Sequence, residues 1–438
     1  MANDRPRQPL HPVVRATGWV SFFTDLGSEL IYPLLPDFVT GTLRASRRTF
    51  GLIEGLAEGV PSLVKLASGA LADRARSRKG LILVGYLLSS LVKPFLGLAQ
   101  TASAVLVLRV LDKVGKGVRG APRDALVADL AAGRRGRAFG YQRAMDHAGA
   151  VAGGLAAFAL LRFAGLDPRQ AILLAAVPGL LSLLVIVLFV HDEPERARRA
   201  PATDGRAAAA GSAPPAGAAT LAGSSAAVPG PATGAAPSSH APARVQSPAL
   251  SRPFRLYLVA AVLFALANSS DAFLILRARE MGLPLLMAPL AWALLHAVKS
   301  ATSLWGGDLS DRVGRRPVLL GGWLLYAAVY AAFAGLSGTA AAWALFAVYG
   351  VFFGATEGVA KAYVADLVPA GARGRAFGLL GTLEGLLLIP TGLAVGWLWD
   401  ATGSGRWPLA IEAALALAAA AWLGLACRPR GGGGKRAA

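Results

Sequence analysis

The sequence predicts an all-α membrane protein in which twelve transmembrane helices form two six-helix bundles related by a pseudo-twofold axis. Three observations predict this fold: a composition poor in charge, apolar segments of membrane-spanning length, and an internal repeat. Of the 438 residues, 55% are hydrophobic and only 16% are charged, whereas about 25% of the residues of a soluble chain are charged. The stretch AILLAAVPGLLSLLVIVLFV at 171–190 carries no charge, and ~20 such residues cross a ~30 Å hydrocarbon core.

Twelve segments combine this length with an apolar character. The run at 318–356 contains no charged residue and is interrupted only by SGTA, so we interpret it as two spans joined by a tight turn. The predicted spans are 14–38, 50–71, 80–100, 103–126, 137–162, 171–190, 255–277, 285–306, 318–336, 340–366, 376–398 and 408–427.

The net charge of +19 is explained by membrane topology rather than by nucleic-acid binding. With the N-terminus placed inside, roughly 26 Lys and Arg residues fall in the tails and even-numbered loops, and about eight fall in the opposite loops. This asymmetry is the positive-inside rule. We therefore expect a multi-pass protein of the cytoplasmic (inner) membrane, with both termini in the cytoplasm, the lipid bilayer as a partner and no nucleic-acid partner.

An Ala/Pro/Gly/Ser tract at 200–250 separates the first six predicted spans from the last six. It has no periodic apolar face, so it is predicted to be a flexible cytoplasmic linker. The predicted organisation is a tail at 1–13, a six-helix bundle at 14–191, a linker at 192–253, a second bundle at 254–427 and a tail at 428–438.

The two halves share sequence. GALADRARSRK begins at Gly69 and GDLSDRVGRRP begins at Gly307, while RGRAFG occurs at 135–140 and again at 373–378. Both pairs are separated by 238 residues. Parallel repeats of six helices with a binding site at the membrane midplane between the halves are a known transporter architecture.

The two loop motifs resemble the signature of the major facilitator superfamily, G-x-L-A/S-D-R-x-G-R-R/K. The first copy departs from it at Arg76, where glycine is usual. The resemblance implies a cytoplasmic gate, with Asp73 engaging the start of span eleven near 374–377 and Asp311 engaging the start of span five near Gly136. The predicted gate residues are Gly69, Asp73, Arg74, Arg78, Gly307, Asp311, Arg312, Gly314 and Arg315.

Span four contains the unusually charged stretch RVLDKVGKGVRGAPRD at 109–124. Its GKGVRG matches a dinucleotide-binding pattern, but that pattern requires a preceding strand, and none is predicted. Most of the charges fall on one stripe of a helix. Because a charge at the centre of a membrane helix costs at least ~2.5–3.5 kcal/mol, this stripe is expected to face water, substrate or charged partners.

Other spans supply partners for this stripe. Asp25 and Glu29 are the first candidates for proton coupling, followed by Glu58 and Asp271, and the alternative for each is a static ion pair. Arg109 lies where the superfamily's antiporter pattern R-x-x-Q-G has its arginine, but the sequence here is R-V-L-D-K, so proton antiport does not follow from it. The candidate coupling or substrate residues are Asp25, Glu29, Glu54, Glu58, Arg109, Asp112, Lys113, Lys116, Asp146, Asp271, Glu357 and Lys361.

These features predict a secondary active transporter that works by alternating access. We expect proton-coupled export of a small amphipathic or anionic molecule by a monomer. Two alternatives remain: a proton-coupled uptake symporter for an organic acid or similar solute, and a non-transporting membrane sensor or scaffold. No nucleophile–base or metal-ligand spacing is found and Cys427 is the only cysteine, so neither an enzyme nor a bound metal or cofactor is expected.

Overall fold

A computed structural model describes residues 10–74, 78–131, 135–190, 251–369 and 372–427. Most of the predicted linker and most of both predicted tails lie outside these residues. The described residues are helical and contain no strand. We number the long helices in chain order and give the suffixes a and b to the two parts of an interrupted one.

The first half contains six numbered helices, and α1 continues through short helical turns at Tyr32–Thr42. They are α1 Pro12–Ile31, α2 Arg47–Arg74, α3 Arg78–Leu98, α4 Ala102–Leu130, α5 Arg135–Arg162, α6a Pro168–Leu173 and α6b Ala176–Phe189. The second half follows the same order. Its helices are α7a Arg252–Leu266, α7b Ala272–Glu280, α8 Ala288–Val313, α9 Arg315–Gly335, α10 Thr339–Leu367, α11 Arg373–Thr402 and α12 Arg406–Ala426.

Side-chain caps and one glycine fix several helix ends. The Thr101 hydroxyl accepts a hydrogen bond from the backbone N–H of Ala104 at 3.2 Å and so begins α4. Gly314, with φ of +95°, lets α8 turn directly into α9. This left-handed conformation favours glycine, which explains the glycine of the second loop motif.

Eight helical segments of the described residues are long and apolar enough to cross a membrane. They confirm the predicted class of an all-α membrane protein. The eight segments are Lys79–Leu98, Arg137–Arg162, Pro168–Phe189, Leu285–Ser303, Arg315–Gly335, Thr339–Leu367, Arg375–Thr402 and Arg406–Ala426. Helices α1, α2 and α4 and both parts of α7 are not among them, and α1, α2 and α4 carry many of the charges described below.

The prediction of one continuous span at 255–277 is wrong. Helix α7a ends at Leu266 and α7b begins at Ala272, so the chain leaves the helix over 267–271. This segment reads ANSSD, and Asn, Ser and Asp side chains compete with helical backbone hydrogen bonds. The carbonyl of Ala267, released by the break, accepts a hydrogen bond from the Tyr326 hydroxyl at 2.7 Å.

The halves meet through two helix pairs, α2 with α11 and α5 with α8. Glycines of α2 make the first of these contacts close, since a Cβ on Gly55 would lie 2.7 Å from the carbonyl oxygen of Leu388. Small residues permit such backbone approach between membrane helices. The contact lies towards one end of the molecule, here called the external end, which is the end of the odd-numbered loops and is predicted to be extracellular.

Candidate functional site

Two adjoining cavities lie between the halves. The inner cavity, of about 300 Å³, lies against the break in α7, and the vestibule, of about 440 Å³, extends along α4 and α5. Both are lined by Glu29, Lys116, Arg119, His296 and Lys299, so we treat them as one chamber. At the other end, the vestibule is lined by residues such as Lys65, Asp124 and Phe139.

Two ion pairs join α2 to α4 in matching register. Arg109 donates to Glu54 at 2.8 Å, and both side chains are almost completely buried. One turn further along, Lys113 is hydrogen-bonded to Glu58. Each pair joins residues that are 55 positions apart. A constant separation is what two helices running in the same direction produce, since they keep their register.

A third buried pair joins α3 to α4. The Lys93 ammonium lies 3.4 Å from an Asp112 carboxylate oxygen and donates to the Ser89 hydroxyl at 3.0 Å. Ser89 in turn is hydrogen-bonded to Asp112. Because each member is satisfied by the others, this group can remain charged away from water.

Aromatic side chains connect the halves at the level of the inner cavity. The ring of Tyr32 lies 4.8 Å from that of Trp292, and the Trp292 indole donates to Glu29 at 2.6 Å. The Tyr32 hydroxyl lies 3.1 Å from that of Ser270, which donates to Glu54 at 3.0 Å. The buried Arg109–Glu54 pair is therefore linked directly to the break in α7.

Glu357 on α10 is surrounded by three cations. It lies 3.1 Å from Arg143 of α5, 3.2 Å from Lys299 of α8 and 3.5 Å from Lys361 one turn further along its own helix. The contact with Arg143 bridges the two halves. This group carries three positive charges to one negative charge, and its Arg143 and Lys299 line the vestibule.

Some chamber charges have no ion-pair partner among the described residues. Asp25, Asp146 and Lys116 are the clearest cases. Lys116 is exposed, and both carboxylates are half-buried. Asp25 lies within electrostatic range of Asp146, Lys116, Glu29 and Arg119. Opposed charges with no fixed partner are free to engage a substrate or a proton.

The external end is closed by contacts between the halves. Arg279 of α7b lies 3.1 Å from Asp37, and the Asp400 carboxylate of α11 accepts from the backbone N–H groups of Arg47 at 3.0 Å and Arg48 at 2.8 Å. Asp400 therefore caps the start of α2 from the other half. Below it, the ring of Phe273 contacts those of Phe50 and Trp399.

The predicted gate motif lies at the opposite end and is described only in part. The side chains of Gly69, Asp73, Arg74 and Arg78 lie outside the described residues, so the predicted contact of Asp73 with α11 stays a prediction. In the second copy, Asp311 and Arg312 are exposed, and Arg315 pairs with Asp366 of α10 at 2.7 Å. Gly307 has nothing within 4 Å of an added Cβ.

The structure brings most of the candidate residues to this chamber. Nine line it directly: Asp25, Glu29, Glu58, Arg109, Asp112, Lys113, Lys116, Asp146 and Asp271. Glu54 is buried behind Arg109, and Glu357 and Lys361 belong to the group around Lys299.

The candidate residues did not include several partners that the structure reveals. Among them, Tyr349 donates to Asp271 at 2.7 Å, and Lys93 pairs with Asp112. The spacing from Glu54 to Glu58 equals that from Arg109 to Lys113. This equal spacing was the sequence feature that indicates the α2–α4 pairs. The contacts of Ser270 depend on the break in α7, which the apolar pattern conceals.

Sequence comparison places the chain among known proteins. It matches the Major Facilitator Superfamily in two overlapping segments, residues 17–386 and 297–437. The chain belongs to this superfamily. A relative from Methanocaldococcus jannaschii, an uncharacterised MFS-type transporter, is 31% identical over 91% of each chain. A tetracycline resistance protein of class C from Escherichia coli is 40% identical, but only over 21% of this chain and 23% of its own.

Solved structures share the fold. The nucleoside transporter NupG aligns with a TM-score of 0.71 at 13% identity, covering 95% of this chain and all of its own. A bacterial homologue of the human lysosomal transporter Spinster, in an inward-facing and occupied conformation, aligns at 0.70 with 16% identity, covering 94% and 96%. This superfamily member has a transporter's fold, and its family indicates a non-enzymatic membrane transporter that binds a small molecule.

Proposed function

We propose that this protein is a proton-coupled secondary transporter that exports a small amphipathic or anionic molecule by alternating access. The observation that carries the proposal is the chamber between the halves, in which Asp25, Asp146 and Lys116 have no ion-pair partner among the described residues. A structural role does not account for these charges, because an unpaired charge within the membrane is costly. A non-transporting sensor or scaffold would have no need of them.

The arrangement of contacts supports alternating access. At the external end Asp37, Arg279 and Asp400 hold the halves together, while the vestibule extends towards the other end. With both termini in the cytoplasm, as the charge distribution predicts, this vestibule faces the cytoplasm. Export then requires the external contacts to separate once substrate is bound.

Asp25 is the best candidate for the coupling proton. Glu54, Glu58 and Asp112 each have a fixed cationic partner, and Glu29 accepts from Trp292. Asp25 instead lies half-buried in the vestibule, with Lys116 and Asp146 both within electrostatic range. A carboxylate in this position loses its proton when a hydrogen-bond-donating group of the cargo engages it, and it regains a proton after the cargo leaves, so proton and cargo move in opposite directions.

The chemistry of the lining supports an amphipathic or anionic cargo. Lys116 is exposed in the chamber, and Arg119 rests over the ring of Tyr86 at 4.1 Å, with one guanidinium nitrogen buried and unbonded among the described residues. Trp292 and Phe353 add an apolar wall to the inner cavity. Two of the similar proteins, a nucleoside transporter and a tetracycline resistance protein, are named for unlike molecules, so the proposal extends only to this class of molecule.

The experiment uses purified protein in liposomes that contain a pH-sensitive dye. Ligands are first selected from a compound library by thermal stabilisation of the protein. An outward gradient of a selected ligand should then drive proton movement in the wild type. Asp25→Asn should abolish this movement. The variant should still unfold at a defined melting temperature, and the ligand should still raise that temperature. Asp167→Asn is the matched control, because Asp167 is an exposed acid outside the chamber that caps α6a within one half.

The results separate the alternatives. Normal proton movement in Asp25→Asn removes Asp25 from the coupling role. Proton movement in the same direction as ligand flux identifies an uptake symporter. If no ligand of the library moves in wild-type liposomes although it stabilises the protein, the sensor or scaffold replaces the transporter as the better interpretation.

A further inference from the structure

A second polar site lies behind the chamber, at the break in α7. Glu412 projects from α12, its side chain is buried, and one of its carboxylate oxygens accepts from the backbone N–H of Ser269 at 3.0 Å. Ser269 belongs to the non-helical segment between α7a and α7b. Tyr330 of α9, fully buried, lies within electrostatic range of Glu412.

Three oxygen atoms at this place are buried and have no hydrogen-bond partner in the described structure: Glu412 Oε2, Ser269 Oγ and the Tyr330 hydroxyl. The two neighbouring tyrosine hydroxyls donate their protons elsewhere. The Tyr326 hydroxyl donates to the Ala267 carbonyl, and the Tyr349 hydroxyl donates to Asp271. Leaving a buried hydroxyl or carboxylate oxygen unsatisfied costs ~1–3 kcal/mol or more, so a group of three requires an explanation.

The charge at this site is also unbalanced. In the first half, Glu54, Glu58 and Asp112 each have a lysine or arginine partner. The ionisable group that faces Glu412 is another acid, Asp271, and no lysine or arginine of the described residues pairs with Glu412. A carboxyl group this deeply buried is stable either as the protonated acid or as a carboxylate with a cation beside it.

We propose that this site binds Na⁺. The ligands are Glu412 Oε2, Ser269 Oγ and Tyr330 Oη, together with carbonyl oxygens released where α7 is broken. Hard oxygen ligands suit a hard cation, and interrupted membrane helices coordinate Na⁺ through such carbonyl groups in other transporter folds. A single carboxylate neutralises a monovalent ion. A divalent ion is less suited, since the described residues contain no group of three His, Cys, Asp or Glu side chains able to hold a metal.

Na⁺ bound at this site would affect the residues that line the inner cavity. Ser270, next to the proposed ligand Ser269, contacts Tyr32 and Glu54 of the other half. Na⁺ holds α7a, α7b and α12 in one arrangement and thereby positions Ser270 and Asp271 in the inner cavity. The site does not depend on the proposed proton-coupled export, because Na⁺ binding is measurable without any cargo.

The test measures binding of radioactive ²²Na⁺ and the melting temperature of the detergent-purified protein. NaCl is titrated against KCl and choline chloride at constant ionic strength and pH. The wild type should bind one Na⁺ and show a saturable rise in melting temperature that choline does not produce. Glu412→Gln should weaken Na⁺ binding at least ~100-fold, because it removes the one negative charge in direct contact with the ion.

Two milder variants protect the test against misfolding of Glu412→Gln. Tyr330→Phe and Ser269→Ala each remove one hydroxyl and should weaken binding about 5- to 10-fold, the effect of losing one buried polar ligand. Glu384→Gln is the matched control, since Glu384 is an exposed acid of the same half. Equal protection by Na⁺, K⁺ and choline, or Na⁺ binding by the milder variants that equals that of wild type, overturns the proposal.

Discussion

The closure of the external end should depend strongly on Asp400. This carboxylate accepts two hydrogen bonds from the start of α2, although it belongs to α11 of the other half. Separation of the halves at the external end breaks both hydrogen bonds, whereas separation at the other end of the molecule keeps them. Asp400→Ala should therefore shift the protein towards its externally open state without altering either half internally.

The magnitude follows from the two interactions that Asp400 makes with the helix. Loss of an N-terminal cap costs ~0.5–2 kcal/mol, and loss of a negative charge beside a helix N-terminus costs ~0.3–1 kcal/mol. The Arg47 side chain adds little, because its closest guanidinium nitrogen lies 4.0 Å away and both partners are exposed. The total of ~1–3 kcal/mol corresponds to a 5- to 150-fold change in the ratio of open to closed molecules.

Cysteine labelling measures this shift. Cys427→Ser removes the only cysteine of the chain, and Ser28→Cys then places a reporter in the inner cavity. A membrane-impermeant maleimide applied from the external side should react 5- to 150-fold faster after Asp400→Ala. Asp167→Ala is the control, since Asp167 caps the start of α6a within one half. An unchanged labelling rate for Asp400→Ala refutes the capping argument, and so does an equal increase in the control.

Three further predictions concern packing, the buried pairs and the linker. Gly55→Ala should separate α2 from α11 and lower stability by ~1–3 kcal/mol in thermal unfolding, while Gly358→Ala, where an added Cβ meets nothing within 4 Å, should have no such packing penalty. Arg109→Met should destabilise the protein by ~3–5 kcal/mol, and the double variant with Glu54→Gln should recover part of that loss; strictly additive effects would contradict direct coupling of the pair. Deletion of much of 203–246 should leave transport near normal in a well-expressed protein, and a large loss would show that this segment is more than a tether.

The sequence predicts the overall plan because the repeat and the distribution of charge are global properties. The stripe on span four predicted that Arg109, Asp112 and Lys113 face polar surroundings, and all three line the inner cavity. Such a prediction needs only helical periodicity and the cost of a charge in lipid. It does not need the positions of other helices.

The specific partners could not be predicted in the same way. Asp112 pairs with Lys93, which the sequence places in an otherwise apolar span, and the choice depends on how α3 packs against α4. The break in α7 escaped detection because ANSSD is only five residues long, within a window of high mean hydropathy. The contacts of Ser270 and the site around Glu412 depend on this break, so the sequence did not predict them either.

The distribution of ion pairs also indicates which parts of the chamber can change during a transport cycle. The pairs Arg109–Glu54 and Lys93–Asp112 are almost completely buried, and breaking either would leave an uncompensated charge at a cost of ~3–5 kcal/mol. Both join helices of the first half, so they move with that half. The ion pairs between the halves are different: Arg143 with Glu357 and Asp37 with Arg279 are partly exposed, and each is worth at most about 1 kcal/mol. Breaking the ion pairs between the halves therefore costs less than breaking those within the first half. Asp25 and Lys116, which have no ion-pair partner among the described residues, are the charges that a substrate or a proton can alter without disrupting either half.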